Sequence, residues 1–86
     1  MNINELIKII KKKIRDNIEL EDIDVEDKSF LHKNHKGNKK DRFHLKISIQ
    51  SKTLKKMNKI EANKKIYKIL KEEMNSYIHS LQILMR

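Results

Sequence analysis

The chain has no cysteine and no proline, a single glycine (Gly37), and only four aromatic residues, Phe30, Phe43, Tyr67 and Tyr77, in 86 positions. Without cysteine there is no disulfide framework, no thiol nucleophile and no thiolate to hold zinc or iron, a composition compatible with a reducing compartment. Four aromatics are too few to stud a surface with base-stacking platforms. No apolar run approaches the ~20 residues that cross a bilayer. The start, Met1-Asn2-Ile3-Asn4-Glu5, passes straight into a helical pattern with no apolar leader segment. The location expected from this is the cytoplasm, with the nucleus as a second compartment and the mitochondrion left open. No Ser-His-Asp order and no paired-carboxylate pocket is readable, and a chain of this length offers little room for a catalytic cleft, so it is not read as an enzyme.

What the chain has is charge, and the charge is segregated. The net charge is +9. Residues 16–27 carry seven acids, whereas residues 28–71 carry fifteen Lys or Arg and two acids, Asp41 and Glu61. Such a field attracts anionic partners. Eighteen of the 21 basic residues are Lys, a point charge without the bidentate fork of Arg, which favours general attraction over specific readout.

Periodicity supplies the elements of one domain over residues 1–86. Ile3, Leu6, Ile7, Ile10 and Ile14 make a single helical stripe over residues 3–16, capped by Asn2 or Asn4. Residues 20–26 alternate, with Ile23 and Val25 against Asp22, Asp24 and Glu26. Phe43, Leu45, Ile47 and Ile49 alternate with His44, Lys46, Ser48 and Gln50, the clearest strand in the sequence. A Lys-rich polar loop lies between the two. A short helix is expected over Thr53–Asn58, with Leu54 and Met57 inward, and one uninterrupted helix over residues 60–75 with a core stripe of Ile66, Ile69, Leu70 and Met74. Residues 78–85 read as a last strand with His79, Leu81, Ile83 and Met85 on one face. The order αββααβ closes most simply as an α+β domain, a three-stranded mixed sheet with its helices on one face and the last strand parallel to a neighbour.

With thiolate absent, imidazole is the expected ligand for a transition metal. His79, where the long helix gives way to the last strand, is the first candidate. His32 and His35 lie in the loop, and His44 on the polar face of the second strand is expected to be exposed or paired across strands. Tyr67 and Tyr77 are expected at the core or its rim.

Three segments in this order resemble the BolA family over residues 5–84. Asp27-Lys28-Ser29-Phe30-Leu31-His32 is similar to that family's acid-x-Ser-aromatic-x-His segment. His44-Leu45-Lys46-Ile47 through Ser51 is similar to its second strand. Ile66-Tyr67 through Leu70, Glu72-Glu73 and then Ile78-His79-Ser80-Leu81 are similar to its long helix and Val/Ile-His-Ala-Leu tail. Two positions depart: Ala62-Asn63-Lys64 replaces the family's Arg-His-Arg, and Leu54-Lys55-Lys56 replaces its Phe-x-Gly step. The resemblance implies a type II KH-like fold and a non-enzymatic partner of monothiol glutaredoxins. In such a pair, a bridging [2Fe-2S] cluster is held by a glutaredoxin cysteine, glutathione and histidine of the BolA-like chain. It implies work in iron–sulfur assembly, cluster transfer and iron homeostasis, by a chain that is monomeric alone and heterodimeric with glutaredoxin. By position, His79 is the implied ligand and His32 the second, with His35 as its substitute. The alternative is a KH-like nucleic-acid binder using Lys55, Lys56, Lys59, Lys64, Lys65 and Lys68. The Gly-x-x-Gly backbone clamp of that class is missing, since the one glycine lies in another segment.

Overall fold

Asn2 starts the first helix. Its side-chain oxygen accepts the Glu5 N–H at 2.9 Å, satisfying one of the orphan donors at a helix N-terminus. From there α1 runs over Ile3–Asn17 and buries Leu6, Ile10 and Ile14 completely, the stripe expected from their spacing. The computed structural model describes residues 1–29 and 42–86. Phe30, His32, His35 and Gly37 fall outside the described residues.

Strand β1 covers Asp22–Asp27 and β2 covers Phe43–Gln50, joined antiparallel with Ile23 opposite Ile49 and Val25 opposite Ile47. Period-two alternation turns Leu45, Ile47 and Ile49 toward the helices, where all three are buried. Strand β3, Ile78–Met85, lies on the other side of β2 and runs parallel to it, giving the sheet order β1-β2-β3. The architecture is the mixed three-stranded sheet with helices that the sequence predicts.

Between β2 and β3 come three helical pieces rather than two. Ser51 caps α2 (Lys52–Lys55) by accepting the Leu54 N–H, and its hydroxyl donates to the Glu19 carbonyl at 2.8 Å, fastening this turn to the start of β1. Asn58 caps α3 (Lys59–Ile69) in a reciprocal arrangement: its oxygen accepts the Glu61 N–H while its amide donates to the Glu61 carboxylate. The uninterrupted helix expected over residues 60–75 is broken at Leu70, which leaves helical geometry at φ −96°, ψ 19°, and α4 follows over Lys71–Ser76. No glycine or proline marks the break. Leu70 is fully buried there, and its N–H is shared between the Ile66 and Lys68 carbonyls. The break is therefore set by packing and carries no local signal.

Glu73 on α4 is buried among these apolar residues, and one carboxylate oxygen accepts from the Lys13 ammonium of α1 at 2.7 Å. The other oxygen has no partner among the described residues. The carboxylate holds the Lys13 ammonium above its ordinary value of 10.5. A raised cation value means that the pair's contribution is complete below that pH and is lost as pH rises through the folded value.

Removing the cation strands a buried carboxylate, so Lys13→Met is expected to cost ~2 kcal/mol. For a domain of this size that is roughly 10 °C in Tm. Adding Glu73→Gln in the same chain should recover most of the loss, since no buried charge remains. Thermal melts of the wild type, the single and the double variant check both expectations.

Candidate functional site

The register of β2 and β3 contains one irregularity, and His79 occupies it. Phe43 pairs with Ile78, but the next residue, His44, pairs with Ser80. One step along β2 is matched by two along β3, so His79 is the extra residue of a bulge. The bulge corrects the expected face. Ile78, Leu81, Ile83 and Met85 pack on the helix side, whereas His79 leaves that side and meets the ring of His44. A strict alternation would have placed His79 with Leu81, Ile83 and Met85. The additional residue breaks that parity and re-aims the imidazole.

The two rings lie 4.8 Å apart between centroids at 63°, an edge-on contact. His79 is exposed, and among the described residues its ring nitrogens take part in no hydrogen bond. His44 is paired across strands as expected but is buried rather than exposed, at 6 %. Its Nδ1 lies 2.7 Å from the Ser80 hydroxyl.

The segment Asp27-Lys28-Ser29 explains why His44 stands where it does. The Asp27 carboxylate accepts the Ser29 N–H at 2.9 Å, turning the chain at the end of β1. The Ser29 hydroxyl then accepts the His44 N–H at 3.1 Å, while the Lys28 N–H donates to the His44 carbonyl at 2.6 Å. The acid-x-Ser pattern thus has a physical role, clasping the first turn of β2. His32 and His35 belong to the segment that follows and lie outside the described residues. Among the described residues no group of three or more His, Asp or Glu is gathered as a metal site.

The remaining charge follows the two sides of the sheet. Asp22, Asp24 and Glu26 line β1 opposite the helices. The Arg86 guanidinium, 2.7 Å from Asp22, holds that carboxyl below its usual 3.8, and the Lys28 ammonium, 2.8 Å from Glu26, does the same to its carboxyl. Lys55, Lys56, Lys59, Lys64 and Lys68 are exposed and Lys65 is half-buried, and none of the six takes part in an ion pair among the described residues. Lys64, Lys65 and Lys68 border a shallow depression of about 390 Å³ with Met57 and Glu61. Lys55 and Lys59 border another, of about 300 Å³, beside Ile83, Leu84 and Met85. Tyr67 stands at the rim, its hydroxyl donating to the Leu81 carbonyl at 2.9 Å, and Tyr77 packs against the core.

The family model for BolA-like proteins matches residues 14–86, the span that carries the bulge and its clasp. The chain belongs to the BolA family. Two curated relatives agree. The chloroplastic protein BOLA1 of Arabidopsis thaliana is 30 % identical over 77 residues, covering 86 % of this chain and 48 % of the relative. The DNA-binding transcriptional regulator BolA of Haemophilus influenzae is 32 % identical over 75 residues, covering 87 % of this chain and 70 % of the relative. The chain therefore spans about half the length of the plant relative. Among solved structures, BolA1 from A. thaliana superposes with a TM-score of 0.78 at 28 % identity, over 93 % of this chain and 88 % of that one. The BolA domain of SufE1 from A. thaliana reaches 0.81 at 24 % identity, over 99 % and 94 %, a likeness of fold. Among the described residues, no helix of this BolA-family chain is long and apolar enough to cross a membrane.

The sheet-face ion pairs are testable by carbon-detected carboxyl titration. Asp22 should titrate below 3.8, and Arg86→Ala should return it to the ordinary range. Because the folded value is depressed, the pair's stabilisation is present above the ordinary carboxyl value and disappears as pH falls through the folded one.

Proposed function

We propose that this BolA-family protein is a non-enzymatic partner of a monothiol glutaredoxin and shares with it a bridging [2Fe-2S] cluster, acting in iron–sulfur assembly and transfer and in iron homeostasis. The observation that carries the reading is His79: an exposed imidazole at a strand bulge, with no hydrogen bond to its ring among the described residues. A neutral imidazole so placed keeps a lone pair available for iron, and among the described residues no carboxylate is bonded to it. The second ligand from this chain is His32, or His35 in its stead. Replacing a thiolate with imidazole on iron removes negative charge and raises the reduction potential of the bound cluster. His79 offers its ring from the open side of the sheet, away from the packed helices, so a partner can approach without disturbing the core. Protonation occupies the imidazole lone pair, so ligation weakens in acid.

Two imidazoles alone do not hold a cluster, and the partner supplies what the chain lacks: glutaredoxin cysteine and glutathione thiolate. The cluster is present only in that complex, the isolated chain being monomeric. The expected compartment is the cytoplasm.

A second reading rests on a different observation. The six lysines of α2, α3 and the turn between them are unpaired among the described residues, and the H. influenzae relative is named a DNA-binding transcriptional regulator. On that reading the helical side binds nucleic acid through phosphate contacts. A steep salt slope with preference for particular sequences supports it, whereas equal binding to any polyanion does not.

Titration of a reconstituted [2Fe-2S] monothiol glutaredoxin homodimer with this protein, followed by visible circular dichroism, tests the first reading. The wild type should change the spectrum, saturating at one to one. His79→Ala should leave it unchanged while remaining folded. No change with either protein removes the cluster role and puts the nucleic-acid reading first. Equal changes with both acquit His79.

A further inference from the structure

The geometry points to His44 as a positioning residue that fixes the imidazole plane of His79. The inference deepens the cluster reading and rests on it for its chemistry, although the geometry stands without it. A metal-binding histidine is ordinarily oriented by a hydrogen bond from its second ring nitrogen to a carboxylate or carbonyl. His79 has no such bond among the described residues, so its ring must be oriented by packing. The ring contact recorded for it is with His44, edge-on at 4.8 Å.

His44 is suited to be the fixed member of this pair. It is 6 % exposed, where His79 is open to solvent. Its backbone is held at both polar groups, the N–H by the Ser29 hydroxyl and the carbonyl by the Lys28 N–H. Its ring is held as well, through Nδ1 to Ser80 at 2.7 Å. Ser80 directly follows His79, so one side chain acts on the site twice. It braces the ring of His79 from the side, and it holds the Ser80 hydroxyl on the far side of the bulge. An extra residue in a strand has lost its ladder partner and with it a source of order. The two contacts of His44 replace that source.

Two substitutions separate these contacts. His44→Phe keeps a ring edge but loses the polar atom facing Ser80. His44→Asn keeps a polar atom near the Nδ1 position but removes the ring. The first readout is side-chain relaxation of the His79 ring by carbon-13 NMR in the isolated protein. The Phe variant, which keeps the ring edge but loses its anchor on Ser80, should lower the ring's order part way, while the Asn variant should lower its order parameter to below about 0.6, the flexible range. The second readout is the spectrum and stability of the mixed cluster with glutaredoxin. There the Asn variant should bind about tenfold more weakly, with an altered dichroism line shape, the size of effect expected from losing a group that orients a ligand.

An Asn variant whose His79 ring is as ordered as in the wild type overturns the inference, as does a Phe variant that loosens it equally. If the wild type forms no mixed cluster, the proposed function falls and the relaxation data alone judge the positioning role. Because His44 is buried, Ser80→Ala at an exposed position serves if the His44 variants do not fold. It releases the ring's anchor and should lower His79 order part way, and an unchanged value overturns the inference.

Discussion

Strand β2 is bonded along both edges, antiparallel to β1 and parallel to β3, and its inward residues Leu45, Ile47 and Ile49 form the floor of the core. The fully buried residues of α1 (Leu6, Ile10, Ile14) and of α3 (Ala62, Ile66) belong to the same apolar cluster. A strand so constrained cannot slip, because a shift of one residue would turn its apolar set to solvent. Any irregularity in the sheet must therefore be absorbed by a neighbour. It is absorbed at the first step of β3, where the helix α4 hands the chain back to the sheet. The clasp of residues 27–29 on His44 fixes the same end of β2 from the opposite side. The candidate site thus stands where three strand ends converge, on the strand bonded along both edges.

How far the sequence speaks for itself differs by kind of signal. Stripes of period 3.6 and 2.0 located α1, β2 and β3 because burial of apolar side chains is strong and local in sequence. A cap at Asn2 or Asn4, of which the structure uses Asn2, and the polar face of β1 are legible for the same reason. The break at Leu70 was not, since no glycine or proline marks it and the packing that imposes it comes from remote residues. The face of His79 was also misjudged. Alternation assumes an unbroken ladder, and nothing in Tyr77-Ile78-His79-Ser80 announces an unpaired residue. His44 is paired across strands, one of the two placements its polar-face position predicts, and is not exposed. Its burial depends on neighbours that no single-strand pattern contains. The Asn58-x-x-Glu61 cap could have been found, as it has the form of a capping box with Asn in place of Ser.

The segregation of charge along the chain becomes a segregation in space. Two acids of β1, Asp22 and Glu26, are paired with Arg86 and Lys28, which mutes their field. Lys55, Lys56, Lys59, Lys64, Lys65 and Lys68 have no such partners among the described residues and keep theirs. Among the described residues these six lysines gather on the helical side, away from His79. A partner drawn by their field and a partner that reaches the imidazole meet different surfaces. Electrostatic steering sets encounter rates and salt dependence, while identity at the imidazole end is decided by shape and ligand chemistry.

The bulge also bears on how the chain tolerates change. Of the residues in β3, His79 alone falls between two paired positions, so the ladder on either side of it is complete without it. A shorter chain passing from Ile78 directly to Ser80 would present an ordinary alternating strand, with every other β2–β3 partner unchanged. The imidazole sits in the structure as an insertion, between two paired positions of β3 and outside the apolar core.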